Sequence, residues 1–339
     1  MRAVAYDGDG HDPELWRALA GAGWTAIGIA EADGGAGLRF EDVLLVVEEA
    51  GRALAPLPLT MTLLAARAVA RAPESAPRGA LLGRIARGEV SVTLAVDGYG
   101  ERASAAAVAA ARDGDGWGLS GSCAFVPYGP LAGLALVEAS LAEGCGLFVV
   151  APDAQGVAWT DARVMDATAP QYEMTLDGAR VDAAISGDTD AGPSIDLLLD
   201  EWRAALSAET LGAAERLLEL TVAYAKERVQ FGRPIGANQA VKVRIADMGA
   251  AVERMRAAVY HAAVKIDADA EDRALAVAMA KLATAGPGAF VGSQAIHVHG
   301  GVGYTWEHDV HLYFKRIKSN ELLLGDEPVH LARVAEAVL

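Results

Sequence analysis

The chain has 339 residues, 53% of them hydrophobic, and a net charge of −16. That is enough apolar material for two or three structural units, and the acid excess excludes a nucleic-acid partner, whose phosphates need a basic face. No run reaches ~18 uninterrupted apolar residues, so no membrane span is expected. Residues 1–8 hold no apolar leader, and the two cysteines, Cys123 and Cys145, have neither disulfide-framework nor metal-ligand spacing. A cytoplasmic protein with free thiols is the expectation.

Residues 1–88 read as helical. Pro13 sits at a first helical position behind the capping residue Asp12, with Leu15, Leu19 and Ala22 at helical spacing. Residues 34–37 form a glycine-rich loop. A second helix is expected over 40–54, with Val43, Val46, Val47, Ala50 and Leu54 on one face, stopped by Pro56 and Pro58. A short helix follows over 78–87.

The texture changes over 89–187. Short β-prone runs at 90–96, 105–111, 117–119, 134–137, 147–150 and 172–176 are separated by Gly and Asp, and Asp113-Gly114 is a hairpin signal. This spacing predicts a small antiparallel sheet or barrel, not βαβ units. After a linker at 187–193 the chain is helical again. One helix is expected over 195–230 and another over 238–268. The second carries Val241, Ile245, Met248, Val252, Met255, Val259, Ala262 and Ile266 at alternating gaps of four and three. A third begins near Leu275, and 328–339 closes the chain. The fold class expected is mainly α with a β middle domain: a helical domain (1–88), a small β domain (89–187) and a four-helix bundle (195–339).

Two segments carry chemistry. In Arg228-Val-Gln-Phe231-Gly-Arg233-Pro, followed by Asn238-Gln239, a helix is expected to end at Phe231 and turn through Gly232 and Pro234. Arg228, Arg233 and the flat face of Phe231 could together hold a phosphate and an aromatic ring. An ordinary helix corner with solvated arginines has the same pattern. In His297-Val-His299-Gly300-Gly301-Val-Gly303-Tyr304-Thr-Trp306, three glycines let backbone approach a ligand closely, as a plain flexible turn would too. Histidines 297, 299, 308 and 311 invite a metal reading beside Glu307 and Asp309. Metal sites need ligands converging from rigid elements, so surface or hydrogen-bonding histidines are expected instead.

These segments, Arg-x-Gln-Phe-Gly at 228–232, Gln239 and His-Gly-Gly-x-Gly-Tyr-Thr at 299–305, resemble the C-terminal domain of acyl-CoA dehydrogenases. Leu15-Trp16, Gly23-Trp24, Glu31-x-x-Gly34-Gly35 and Glu48-Glu49-Ala50-Gly51-Arg52 resemble the family's first domain. The resemblance is strong in both helical zones and weak in the middle one. It implies FAD as cofactor, an acyl-CoA substrate and an electron-transfer flavoprotein as acceptor. It also implies a flavin site built by two subunits, one holding the isoalloxazine and its neighbour the adenine and pyrophosphate. By similarity Arg228, Phe231, Asn238, Gln239, Gly300 and Gly301 belong to the second task, with His297 standing where the family usually has Gln.

The same resemblance exposes losses. The family's base, a Glu before a Gly, is matched by Leu324 in Leu322-Leu-Leu324-Gly325-Asp326-Glu-Pro328, and Asp326 and Pro328 replace flavin-contacting residues. Some members carry the base directly before an Arg that matches Arg203, a substrate-binding position. Here that residue is Trp202, and Glu201, the nearest carboxylate, is rotated by ~100° on a helix. Glu209 lies two turns further on. The family's Thr-Glu-Pro-x-x-Gly-Ser-Asp run is replaced at 93–100. The aromatic-x-Thr segment reads Phe125-Val-Pro127-Tyr128, in which Pro127 has no amide to donate. The chain is therefore expected to be one subunit of a heteromeric dehydrogenase, a heterotetramer of the kind used for bulky steroid-type acyl chains, whose unlike subunit brings the base. A self-sufficient enzyme using Glu201 and a non-enzymatic acyl-CoA-binding scaffold are the alternatives.

Overall fold

The computed structural model describes residues 2–8, 10–96, 106–182, 184–187 and 189–339. The replaced run at 93–100 lies outside these residues from 97 onward, as does the start of the strand expected at 105. By its contacts the chain divides into two compact units, 1–43 with 56–202, and 44–55 with 203–339.

In the first unit α1 (Pro13–Gly21) starts as its sequence predicts: Asp12 accepts from the amides of Glu14 and Leu15 at 3.0 Å, with Pro13 behind it. Its buried anchor is Trp16, whose indole donates to the Gly88 carbonyl at 2.9 Å. Helix α2 (Phe40–Ala53) begins in this unit with Phe40 and Val43 fully buried. Then come α3 (Leu59–Ala70) and α4 (Ala76–Ala86). Helix α3 carries no amphipathic signal because almost every residue of it is buried; a helix apolar all round has no stripe to read. Thr62 on α3 accepts from the amide of Val92 at 2.9 Å, which ties the helix to the sheet.

The sheet comprises β1 (Val92–Ala95), β2 (Val108–Asp113), β3 (Gly116–Pro127), β4 (Leu134–Ser140), β5 (Cys145–Val150), β6 (Val157–Asp161) and β7 (Gln171–Val181). Its order is β1-β4-β2-β3-β7-β6, with β5 on β4. Most pairs are antiparallel, including the hairpin that Asp113-Gly114 announces; β1 runs parallel to β4. Strand β6, too short and polar to stand out in sequence, pairs with β7. Leu119, Val137, Phe148, Met174 and Leu176 form the core of this layer, with Trp117 edge-on to Phe148 at 5.6 Å.

The second unit is the bundle: α5 (Gly192–Glu227, from Arg203 onward), α6 (Gln239–Asp267), α7 (Arg273–His299), α8 (Val310–Leu322) and α9 (Glu327–Val338). The second half of α2 joins it because glycines let two backbones touch. A Cβ at Gly51 would sit 2.3 Å from the Glu209 carbonyl, and one at Gly212 would sit 1.9 Å from the Glu48 carbonyl. Glu48, 5% exposed, is bound there by Arg256 and Tyr260. The heptad-like seam of α6 is buried from Met248 to Ile266. Helix α7 is long and apolar enough to cross a membrane by length and composition, contrary to the run-length reading. Half of its most apolar window is packed inside the unit, which explains its apolar character. Helix α8 was not expected.

Candidate functional site

The two motif segments meet at one end of the bundle. Helix α5 ends at Glu227, four residues before the expected end. The reason is the next six residues: Val229–Gln230 pairs with Arg233–Pro234 as a hairpin, and its two tip residues, Phe231 and Gly232, have φ of 51° and 77°. Two positive φ values make a type I′ turn, whose twist suits a two-residue hairpin. Phe231 is thereby lifted clear of the helix and is 98% exposed. Arg228 is exposed below it. Arg233 donates to the Asn238 side chain at 2.5 Å, just before the exposed Gln239 that opens α6.

The glycine turn at the end of α7 lies beside this corner. Tyr224 of α5 stacks on His299 (centroids 4.4 Å, 24° between planes), and its hydroxyl donates to the His299 carbonyl at 3.3 Å. His299 Nδ1 lies 2.7 Å from the Ala295 carbonyl, which sets the Nδ1–H tautomer, and burial lowers its pKa. His297, Gly300 and Gly301 are exposed, and a Cβ at Gly300 or Gly301 would meet nothing within 4 Å. An exposed cation, an exposed ring and open glycine backbone make a surface that can take a phosphate and a flat heteroaromatic ring. No three potential metal-ligating groups converge among the described residues.

The turn that the resemblance assigns to the base is held from below by side chains of α5 and α7. Leu324 is 1% exposed and has φ 59°, a left-handed conformation that costs about 1–2 kcal/mol for a side chain with a Cβ. Two buried cations hold it through carbonyls. Arg203 Nε donates to the Leu324 carbonyl at 3.3 Å. Lys281 on α7, 3% exposed, donates from Nζ to the carbonyls of Asn320 (2.6 Å) and Leu323 (2.9 Å), with that of Glu321 at 3.5 Å. It thus caps the open C-terminus of α8. Burial first, and the Arg203 guanidinium second, pull Lys281 down to about 7, with Glu321 opposing. His330, also buried, is held down to about 3 by burial and by the same two cations. So Arg203 binds the chain's own backbone here. Lys281 escaped the sequence reading, although one lysine inside an alanine-rich apolar run is itself a signal of a buried charge.

Glu201 lies in the first unit and is fully buried. Its carboxylate accepts from Arg67 at 2.8 Å and from Arg71 at 3.0 Å on both oxygens. A general base needs a free face toward the carbon acid. Three hydrogen bonds and 0% exposure leave this carboxylate none, so the expected candidate is an ion-paired strut between α3 and α5. Arg67 also stacks on Phe40 at 4.9 Å. Trp202 is 2% exposed.

In the sheet, Thr93 donates to the Pro127 carbonyl, and Phe125 and Tyr128 both have positive φ, 56° and 58°. The register shift between Cys123 and Val126 is the bulge that turns Phe125 outward to 38% exposure. Tyr128 points inward, its hydroxyl donating to the Thr168 carbonyl at 3.2 Å.

Residues 2–89 match the family model for the N-terminal domain of acyl-CoA dehydrogenases, and 194–339 match the model for their C-terminal domain. The acyl-CoA dehydrogenase IpdE2 of Mycolicibacterium smegmatis is 32% identical over 100% of this chain and 92% of its own. FadE27 of Mycobacterium tuberculosis is 36% identical over 95% of this chain and 87% of its own. Among solved structures, a steroid ACAD variant, Tcur3481-Tcur3483, superposes with a TM-score of 0.88 at 36% identity over 99% of this chain and 91% of that one. The ChsE4-ChsE5 complex from Mycobacterium tuberculosis gives 0.87 at 33% over 97% and 88%. With the helix–sheet–bundle fold and both motif segments in place, the chain belongs to the acyl-CoA dehydrogenase family.

Proposed function

We propose that this chain is the base-less subunit of a heteromeric, FAD-dependent acyl-CoA dehydrogenase, lending its adenine-binding corner to a flavin site whose catalytic carboxylate and isoalloxazine face come from an unlike subunit. The observation that carries the reading is that, among the described residues, the two positions where the family carries its base and the nearest carboxylate to them are closed. Leu324 and Trp202 are apolar and buried, and the Glu201 carboxylate is consumed by Arg67 and Arg71.

The corner fits the adenosine-diphosphate end of the cofactor. Arg228 would meet the pyrophosphate, Phe231 the adenine face, and His297, Asn238 and Gln239 the polar edges. Gly300 and Gly301 leave the backbone open to approach. The sheet does not fit the isoalloxazine equally, since Pro127 cannot donate from its backbone. FAD, when bound, supplies the hydride acceptor. This chain's residues then bind and orient, while the proton next to the thioester carbonyl leaves to a carboxylate of the unlike subunit. Two of the similar structures are heteromers or steroid enzymes by their descriptions. A bulky steroid-type acyl-CoA is therefore the substrate class proposed, with an electron-transfer flavoprotein as acceptor.

The test is the visible flavin spectrum with mass by light scattering, for the chain alone and co-expressed with a second dehydrogenase-like subunit. The reading requires a colourless chain alone and a yellow mixed oligomer. A yellow homo-oligomer that bleaches with an acyl-CoA would refute it.

A further inference from the structure

One face of α4 is left without a full partner inside the helix–sheet unit. Pro77, Ala80, Leu81 and Arg84 recur at helical spacing and so share one stripe of that helix. Facing the stripe, across a cavity of about 450 Å³, are Val149 of β5 and Ile185 in the turn after β7. Leu81 and Ile185 are buried and give the cavity an apolar floor, while Pro77 and Ala80 are exposed beside it. The volume falls within the range of small-molecule sites, whose walls are likewise mostly apolar with a few polar groups. None of its residues belongs to the adenine corner or to a base position.

Two opposite charges line the same cavity, Arg84 and Asp182, both exposed. Among the described residues neither makes a hydrogen bond or an ion pair, with the other or with a third group. Glu89 feels the Arg84 charge, yet its carboxylate is bonded to Arg87 at 2.6 and 3.1 Å. Arg84 therefore keeps its donors for a ligand. A guanidinium beside an apolar slot suits a carboxylate, which it takes with two parallel bonds.

Length and charge together identify the occupant. From Pro77 to Arg84 the stripe runs about 10.5 Å along the helix axis, long enough to lie against a fatty chain or a fused-ring body. Asp182 accepts from a hydroxyl and repels a second carboxylate, so one acid group is admitted and two are not. We propose that this cavity binds an apolar monocarboxylic acid, its body along the Pro77–Leu81 stripe and its carboxylate on Arg84. The site stands independently of the heteromer reading, since every residue of it lies in the helix–sheet unit of this chain.

The test is calorimetric titration of the isolated chain with decanoate and with decan-1-ol, for wild type, Arg84→Glu, Arg84→Lys, Ala80→Trp and the control Arg87→Glu. All three positions are exposed, so melting within about 2 °C of wild type shows that each variant folds. Wild type should take up one decanoate. Arg84→Glu, which reverses the charge, and Ala80→Trp, which puts an indole into the slot, should each bind it at least ~10-fold more weakly, the lower bound for a hydrogen bond to a charged group. Arg84→Lys should recover part of the affinity, Arg87→Glu should match wild type, and decan-1-ol should bind at least ~10-fold more weakly than decanoate. No saturable decanoate binding by wild type overturns the proposal. Wild-type affinity in either Arg84→Glu or Ala80→Trp places the acid elsewhere and overturns it too, as does equal affinity for the alcohol. If Ala80→Trp lowers the chain's mass by light scattering, another subunit is the occupant and the proposal falls.

Discussion

Replacing Lys281 by methionine isolates the clamp beneath the Leu323–Gly325 turn. Methionine keeps the stem's apolar volume and removes only the donor. Two well-formed bonds disappear, at 2.6 and 2.9 Å, leaving the carbonyls of Asn320 and Leu323 buried without them. A buried acceptor stripped of its donor costs about 1–3 kcal/mol. Against this stands relief from the cost of burying the ammonium or of neutralising it, which persists at every pH below the unfolded value of 10.5. Because its folded value is about 7 and its unfolded value 10.5, the unfolded chain holds a proton that the folded chain has shed at every pH between them. Wild-type stability therefore rises with pH across that window, by at most about 1.4 kcal/mol per pH unit, and is constant in this respect below it. At pH 8 wild type still carries about 3 kcal/mol of that cost, which offsets most of the lost bonds, so Lys281→Met is expected within about 1.5 kcal/mol of wild type there and about 1–3 kcal/mol less stable at pH 9.5. The gap, wild-type stability minus that of the variant, should therefore grow from pH 7 to 9.5. Urea unfolding midpoints of the isolated chain at pH 7, 8 and 9.5 measure it directly. A gap that stays constant or narrows as pH rises refutes the argument, because it would mean that the amine is not titrating within the fold.

Three further outcomes are expected. Glu201→Gln leaves two guanidiniums without their anion and should cost about 2–4 kcal/mol in urea unfolding, while turnover per folded mixed oligomer stays at wild type; a selective collapse of turnover would restore Glu201 as a base. Phe231→Ala should leave the melting temperature within about 1 °C and deplete flavin from the mixed oligomer, read from the ratio of visible to protein absorbance. Gly212→Ala drives a methyl into the Glu48 carbonyl, 1.9 Å away, and should cost more than about 3 kcal/mol or abolish soluble expression; normal unfolding would show that α2 and α5 can separate cheaply there.

Local chemistry made much of this protein legible in its sequence. Asp12-Pro13 determined the start of α1, and Asp113-Gly114 determined a hairpin. The four-three spacing from Val241 to Ile266 marked the buried stripe of α6, because a cap, a turn and a face each depend on residues within a few positions of one another. The two motif segments likewise announced themselves by their glycines, rings and cations. Their meeting did not, since 75 residues separate Tyr224 from the His299 it stacks on. Helix α3 could not be delimited within the helical zone because near-complete burial erases the period that marks a helix's ends and face, and Phe231 was placed on a helix because nothing in its neighbours requires the left-handed turn it occupies. Only the tertiary structure decided what the charged residues do. Glu201 and Arg203 look like chemistry in sequence, and packing gives one to Arg67 and Arg71 and the other to a backbone carbonyl. Whether a carboxylate is a base or a strut depends on what surrounds it in three dimensions, where a partner 130 residues away can count as much as a neighbour in the chain.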